Sequence, residues 1–378
     1  MSPAQFFAAY DAFGERRAGG PADLRSAQWL AGLARAVGAQ AEPVEVRFER
    51  FVPGDAWLET DRGRLPGLPL FDGGTTGPEG VAGRLGPLGS EAPIGVAEMS
   101  PRAASLPGNP FALERARSRH AAIVVALRTR ADTLAPLNAH DALAPFGPPV
   151  LQVAGAEGPE LIALAARGDL RVRVVATGVR QPGASANVRA SLAGDARAPL
   201  VLLTPRTSWW TSTAERAGGV LAWLHALRAL AAAPGARRPV VALATCAHEL
   251  GHLGAHRAFE VEPALARDAS LVLHLGANLG AAQASRLVVR GNQPALADRL
   301  VEALVAHGHP AAPIEVDTTG VAMGEAFEVA TRGGRFVSLV GDNPWFHTPE
   351  DRWPASVDLG RATAIAAAVA DFAREVAA

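Results

Sequence analysis

The sequence predicts an α/β protein built as a three-layer sandwich, in which helices cover both faces of a mixed, mostly parallel sheet. Four mainly apolar runs, at 200–203, 240–244, 271–275 and 336–340, are typical of strands that are buried on both faces. Helical segments begin near Ala214 and Gln293, and a last helix is predicted over about 356–376. This alternation of strands and helices favours a layered α/β architecture.

The N-terminal half predicts a second, smaller domain that is rich in β-structure. Residues 22–38 have the apolar spacing of a helix, and Val44, Val46 and Phe48 alternate with charged residues as in a strand. The Gly- and Pro-rich stretch 53–110 predicts loops and short strands. Strands at 121–126, 149–153 and 172–176, with a helix near 158–167, complete this half. We therefore expect a helix and strand at 1–60 that pack on the larger domain, a small β-rich domain at 61–192, and the α/β domain at 193–378.

The composition excludes several classes of function. The 378 residues include 36 basic and 37 acidic side chains, so a net charge of -1 provides no general attraction to nucleic acid or to an anionic membrane. Every basic residue is arginine, which excludes lysine Schiff-base chemistry. A single cysteine, Cys246, excludes an internal disulfide and a cysteine-only metal cluster. We find no signal-peptide pattern and no apolar run of membrane-spanning length, and therefore expect a cytoplasmic protein.

Polar side chains gather where the predicted strands end, which is where α/β sheets bind ligands. The side chains at these positions are Arg206, Trp209, Trp210, Glu215, Arg216, His248, Glu249, His274 and His347. Zinc in proteins is bound by histidine nitrogen and carboxylate oxygen. The set therefore predicts a zinc site at this edge of the sheet.

Two motifs, FHTPED at 346–351 and AHELGHLG at 247–254, resemble those of the zinc aminopeptidases of the bacterial leucyl aminopeptidase type, a family that includes glutaminyl cyclases. Residues 346–351, FHTPED, are similar to the family's Tyr-His-Thr-Pro-x-Asp. Residues 247–254, AHELGHLG, are similar to its Glu-Glu-x-Gly-Leu-x-Gly. The order of the segments over most of the chain also resembles this family, with 80–192 corresponding to its protease-associated domain.

The resemblance implies zinc ligands at Glu215, Glu249 and His347, and places His274 on or near the position of a further ligand. The general-base Glu of the family falls on His248, which would transfer protons near neutral pH. The family's His-x-Asp motif falls on Pro205 and Thr207. Because proline has no side-chain donor, the resemblance implies a single zinc, as in glutaminyl cyclases, with one position open for water or substrate.

The leading hypothesis is a single-zinc metallohydrolase or cyclase-like enzyme that acts on the amino end of a small peptide or amino-acid amide. Trp209 and Trp210 would line an apolar substrate pocket, and Arg206 or Arg216 would bind a substrate carboxylate. Each candidate also has a structural explanation. The acids are compatible with helix starts, the histidines with a hydrogen-bonded core, and the tryptophans with a hydrophobic plug.

Two other hypotheses remain open at this point. Pro205 and Thr207 support a pseudo-peptidase that has lost its metal and serves as a binding module. In addition, residues 248–252, HELGH, satisfy HExxH, the zincin motif in which two histidines on one helix bind zinc and the glutamate acts as base. In that case His252 is a ligand, and 240–252 form a helix instead of a strand followed by a loop.

Overall fold

The fold was analysed in a computed structural model that describes residues 1–102, 108–130, 133–233, 238–310 and 312–378. The chain divides into two compact units. The first unit comprises Met1–Val46, Ala184–Phe346 and Glu350–Ala378, and the second comprises Arg47–Gly183 and His347–Pro349. The second unit begins earlier than residue 61 because the strand predicted around Val44 continues without interruption to Thr60.

The chain begins with helices α1 (Pro3–Ala12) and α2 (Pro21–Ala36), followed by the long strand β1 (Gln40–Thr60). The sequence pattern predicted α2 and β1 but not α1. Helix α1 starts with a capping box, in which Ser2 Oγ accepts the Gln5 N–H and Gln5 Oε1 accepts the Ser2 N–H. This reciprocal pair satisfies two donors that a helix start otherwise leaves without partners.

The second unit contains a mixed sheet. Its elements are β2 (Gly63–Pro69), β3 (Val81–Pro87), β4 (Ile94–Met99), α3 (Pro110–Arg117), β5 (Ala122–Leu127), β6 (Val150–Ala154), α4 (Gly158–Arg167) and β7 (Arg171–Leu192). Strand β7 continues into the first unit. The strand order is β1-β2-β6-β5-β4-β3-β7, in which β3, β4, β5 and β6 are successively parallel by their pairings. The buried carboxylate of Asp72 receives two hydrogen bonds from Arg115, at 3.0 and 2.9 Å.

The first unit is built on a second mixed sheet. Its strands are β8 (Leu200–Pro205), β9 (Val240–Thr245), β10 (Leu271–Leu275), β11 (Leu287–Gly291), β12 (Ile314–Asp317) and β13 (Phe336–Gly341). They follow β7 in the order β7-β9-β8-β10-β13-β11-β12. The four central strands, β9, β8, β10 and β13, are parallel to one another, and these are the four strands that the apolar runs predicted.

Helices cover both faces of this sheet, which confirms the predicted α/β class. They are α5 (Thr213–Ala232), α6 (Leu253–Val261), α7 (Pro263–Arg267), α8 (Pro294–Ala306), α9 (Ala326–Ala330) and α10 (Leu359–Ala377). Alternate residues of β8 belong to two different cores. Leu200 and Leu202 pack with α1, α2, α5, α8 and α10, whereas Val201 and Leu203 pack with α6, α7 and α9. Each central strand is therefore buried on both faces, as its continuous hydrophobicity predicted.

Helix α5 lies against the segment that follows β10. A Cβ atom on Gly218 would overlap the carbonyl oxygen of Leu279, and one on Gly219 would lie 2.9 Å from that of Gly276. The two glycines therefore allow the first turns of α5 to approach this backbone. No helix in the described residues is both long enough and apolar enough to cross a membrane.

Candidate functional site

The loops after β8 and β9 leave the same edge of the first unit's sheet, because the two strands are parallel and adjacent. Asn187 on β7 holds the loop after β9 through both polar atoms of its amide. Its Oδ1 accepts the Cys246 N–H at 2.9 Å, and its Nδ2 donates to the Gly254 carbonyl at 2.8 Å. The 247–254 segment is therefore anchored at both ends, by a residue to which the sequence analysis assigned no role.

The HELGH segment is not a continuous helix. Strand β9 ends at Thr245, residues 248–250 form a single 3₁₀ turn, and α6 starts only at Leu253. The backbone is left-handed at Ala247, Gly251 and His252, with φ of 55°, 75° and 59°. The zincin hypothesis, with His252 as a ligand, is therefore wrong, because it requires both histidines on one helix. The prediction of a strand followed by a loop is confirmed.

Glu249 lies in the interior with both carboxylate oxygens bound by protein donors. Its Oε1 accepts the Ala18 N–H at 2.7 Å, and its Oε2 accepts the Thr207 hydroxyl at 2.8 Å. Burial raises the pKa of Glu249, and these hydrogen bonds only partly oppose that shift. Thr207 occupies a position that the family resemblance assigned to a metal ligand. The hydrogen bond from Thr207 to Glu249 thus joins two positions of interest. At Glu249 the sequence predicted a zinc ligand, and at Thr207 the family has a metal ligand by the resemblance.

Glu215 and Arg216 form an ion pair on the first turn of α5. Arg216 Nη2 lies 2.7 Å from Glu215 Oε1, and Arg216 Nε donates to the Thr207 carbonyl at 2.9 Å. The two side chains are only 0% and 1% exposed. Within the part of the chain that the structure describes, Arg216 Nη1 has no hydrogen-bond partner. A buried donor in that state costs roughly 1–3 kcal/mol.

His248 and His274 are joined by a carboxylate that the sequence analysis missed, Glu325. His248 Nδ1 lies 2.8 Å from Glu325 Oε1, and His274 Nε2 lies 3.3 Å from Oε2. The second nitrogen of His274 lies 2.6 Å from the Ser338 hydroxyl. Glu325 was missed because it is the N-cap residue of the short helix α9 and lies 77 residues from His248 in the sequence.

The ionisation of this network follows from its contacts. Burial, together with the charge of Arg216, lowers the pKa of His248, so its imidazole is neutral at neutral pH. Burial tends to raise the pKa of Glu325, but the interactions with His248 and His274 hold it well below its usual range. Burial and the neighbouring His248 also lower the pKa of His252 to about 4. The network is therefore a carboxylate that accepts N–H bonds from two imidazoles.

Arg206 is committed to contacts within the first unit. It is 2% exposed, its Nη2 lies 2.7 Å from Asp23 Oδ1, and its Nε donates to the Ala186 carbonyl at 2.8 Å. Nη1 donates to the Asp23 carbonyl at 3.1 Å and to Ser26 Oγ at 3.2 Å. Trp209 is 2% exposed. These contacts assign Arg206 a structural role, in contrast to the predicted binding of a substrate carboxylate.

His347 belongs to the second unit, whereas Glu215 and Glu249 belong to the first. The His347 side chain is buried, and its Nδ1 donates to the carbonyl of Pro136 at 2.6 Å. Its backbone is left-handed, with a φ of 62°. The three ligands that the resemblance implied are thus divided between two compact units.

Asp351, at the end of the FHTPED motif, caps helix α5. Its carboxylate accepts the N–H groups of Ala214 and Glu215 at 2.8 and 2.9 Å, and the amide of Asn343 at 3.1 Å. Burial raises the pKa of Asp351 to about 6, and the charge of Glu215 adds to the shift. The motif therefore has a clear structural function, which is to satisfy the start of α5.

The titration of Asp351 predicts a pH dependence of stability. Between its ordinary pKa of 3.8 and about 6, the folded state binds this proton more tightly than the unfolded state does. The contribution of Asp351 to stability is therefore highest below pH 3.8 and decreases as the pH rises through 6, by up to about 3 kcal/mol. Urea denaturation of wild type and Asp351→Asn between pH 4 and 7 measures this, because the variant does not titrate. A difference in unfolding free energy that is independent of pH would contradict the shift.

These residues do not fit a zinc ion. Among the described residues, no group of three or more His, Cys, Asp or Glu side chains is arranged to hold a metal. Both oxygens of Glu249 already accept hydrogen bonds, and Glu215 already faces a guanidinium. A fixed positive charge beside the carboxylate opposes the binding of a second cation.

Comparisons with known proteins identify solved structures that have a similar fold. No protein-family model matches the sequence, and no curated protein sequence matches it. The structure is similar to that of a zinc aminopeptidase from Bacillus subtilis, with a TM-score of 0.76, 15% identity, and coverage of 99% of this chain and 94% of that one. An aminopeptidase from Aneurinibacillus sp. strain AM-1 gives 0.72 and 15%, covering 100% of this chain and 94% of that one.

A glutaminyl cyclase from Porphyromonas gingivalis is similar over 99% of this chain and 97% of its own, with a TM-score of 0.54 and 12% identity. At these identities the comparisons establish the architecture and do not transfer an activity. The fold implied by the two sequence motifs is confirmed: this chain has the fold of aminopeptidases and glutaminyl cyclases.

Proposed function

We propose that this protein is a metal-independent pseudo-peptidase, which uses an aminopeptidase-like fold to bind a small peptide or amino-acid amide without hydrolysing it through zinc. The observation that carries the proposal is the state of Glu249, whose two oxygens accept hydrogen bonds from Ala18 and Thr207. The fold supports the ligand class only by analogy with its structural neighbours. The loss of zinc is argued from the side chains themselves.

Two properties of the first unit oppose a single-zinc site, and a third removes a ligand of a two-zinc site. Zinc binding requires a deprotonated carboxylate, and burial raises the pKa of Glu249. The guanidinium of Arg216 neutralises Glu215 at 2.7 Å. Pro205, at a position that the resemblance compared with a ligand, has no side-chain donor. In place of a metal, these positions hold an internal network of hydrogen bonds and one ion pair.

The network also supports a binding role. Imidazole and guanidinium groups at the carboxyl ends of β8 and β9 lie where α/β sheets bind small molecules. His248 is oriented by Glu325 at 2.8 Å, and Arg216 is oriented by Glu215 and by the Thr207 carbonyl. Side chains that are fixed in this way are pre-organised, which lowers the entropic cost of binding.

Metal analysis and an activity assay test the proposal. We expect protein purified in zinc-supplemented buffer to contain substoichiometric zinc, to show no hydrolysis of amino-acid 4-nitroanilides above the rate of a heat-inactivated sample, and to keep its melting temperature after dialysis against a chelator. Variants Glu249→Gln and His347→Ala should contain the same trace of metal as wild type. His307→Ala is the control, since His307 is partly exposed and paired with Asp371.

One zinc per wild-type chain that is lost in Glu249→Gln or His347→Ala, but retained in His307→Ala, would overturn the proposal. That result would support the single-zinc enzyme that the sequence predicted.

A further inference from the structure

The guanidinium of Arg216 is a buried cation whose hydrogen bonding the described contacts leave incomplete, as they also do at Nε of Arg16 and of Arg115. It is 1% exposed, its Nε donates to the Thr207 carbonyl at 2.9 Å, and its Nη2 lies 2.7 Å from Glu215 Oε1. Within the described residues, its Nη1 has no partner. Because almost all buried donors in proteins are paired, an acceptor from outside the chain is expected there.

The charges of Arg216 and Glu215 determine which kind of acceptor is favoured at Nη1. Glu215 already compensates the positive charge of Arg216, and both side chains are withdrawn from solvent. A bound carboxylate would place a second negative charge on one guanidinium, close to Glu215, in surroundings that solvate charge poorly. An uncharged oxygen supplies the missing lone pairs without this repulsion.

His248 keeps some contact with the solvent. Its side chain keeps 10% of its surface exposed, whereas its partner Glu325 is 0% exposed. Burial, and next the charge of Arg216, lower the pKa of His248. Nη1 of Arg216 is itself buried, so a bound molecule reaches it only if the side chains that cover it move.

We propose that Arg216 Nη1 donates a hydrogen bond to the uncharged carbonyl oxygen of a bound amide or peptide, a proposal that rests on the ligand class of the proposed function. Arg216 is thereby a specificity-determining residue, which distinguishes an amide from the corresponding free carboxylate. Arg216 carries out this role as a buried hydrogen-bond donor whose positive charge Glu215 already balances.

Binding of matched small molecules tests this assignment. The probes are amino-acid amides, each compared with its free amino acid and with the amine that lacks the carbonyl group, for example leucinamide, leucine and isopentylamine. Ligand-detected NMR with the full chain should show that wild type binds at least one amide, with an affinity roughly tenfold or more above that of its two partners.

Variants assign the effect to Arg216. Arg216→Lys keeps a cation beside Glu215 and should weaken amide binding by about tenfold or more, because the ammonium lacks the forked donors of the guanidinium. If that variant folds poorly, the double variant Arg216→Met with Glu215→Gln removes both charges together. Arg228→Lys, an exposed position on the same helix, should bind as wild type does.

The inference fails if no amide binds, if Arg216→Lys binds amides as wild type does, or if the free amino acids bind more tightly than the amides. Metal analysis of the same samples separates this failure from that of the proposed function. Stoichiometric zinc overturns the proposed function, and zinc-free protein that binds no amide overturns its ligand class together with the role of Arg216. Zinc-free protein whose amide binding is unchanged in Arg216→Lys overturns only the role of Arg216.

Discussion

Replacing Glu249 with alanine is expected to destabilise the first unit without changing the metal content of the protein. The substitution removes the acceptor of the Ala18 N–H and of the Thr207 hydroxyl, at 2.7 and 2.8 Å, in a site that solvent does not reach. Each buried donor left without an acceptor costs roughly 1–3 kcal/mol, so we expect a loss of about 2–6 kcal/mol. Urea denaturation followed by circular dichroism measures the change in the free energy of unfolding.

Glu249→Gln is the matched variant, because it distinguishes a hydrogen-bonding role from metal ligation. The amide oxygen of glutamine still accepts the Ala18 N–H, and the Thr207 hydroxyl is able to accept from the amide nitrogen where it formerly donated. We therefore expect Glu249→Gln to remain within about 1 kcal/mol of wild type. If Glu249 were a zinc ligand, the same substitution would instead remove a charged ligand from the metal. Equal destabilisation by alanine and glutamine, with loss of bound zinc, would refute the structural role.

The four central strands of the first unit were predictable because their burial on both faces gives a local apolar pattern, whereas β11 and β12 were not predicted. The runs at 200–203 and 240–244 are apolar throughout, since each strand has helices on both faces. Helix α1 escaped prediction, although Ser2 and Gln5 form a capping box that a search for N-terminal caps detects. Local pattern is thus sufficient for buried strands and insufficient for short helices.

The sequence predicted where the site lies in the fold, but it did not predict the contacts that determine the chemistry of the site. The sequence located His248, Glu249 and Glu215 at strand ends and a helix start, as the structure has them. It did not reveal that Ala18, 231 residues from Glu249, supplies the hydrogen bond to its carboxylate, or that Glu325 orients His248. Such partners are set by tertiary packing, and no local spacing encodes them. A motif therefore identifies a position in the fold, while the contacts around it decide whether the position still binds metal.

Replacing Arg206 with methionine is expected to cost about 3–5 kcal/mol of stability, because it leaves the carboxylate of Asp23 buried without its cation. The double variant Arg206→Met with Asp23→Asn should lose less than the sum of the two single losses, since it removes both charges. Asparagine still accepts the Gly19 N–H that Asp23 Oδ2 accepts at 2.8 Å. Thermal and urea denaturation of all four proteins give the coupling energy.

The matched surface control is Arg286→Met, which breaks an ion pair with Glu315 whose side chains are 46% and 55% exposed. Exposed pairs contribute at most about 1 kcal/mol, so this variant should denature nearly as wild type does. The comparison also decides between the two roles considered for Arg206. If Arg206→Met keeps wild-type stability and instead weakens the binding of carboxylate ligands, Arg206 contacts substrate as its place after β8 suggested. If stability falls and the coupling to Asp23 is large, the guanidinium holds α2 against the sheet, and the charge of the site depends on Arg216 alone.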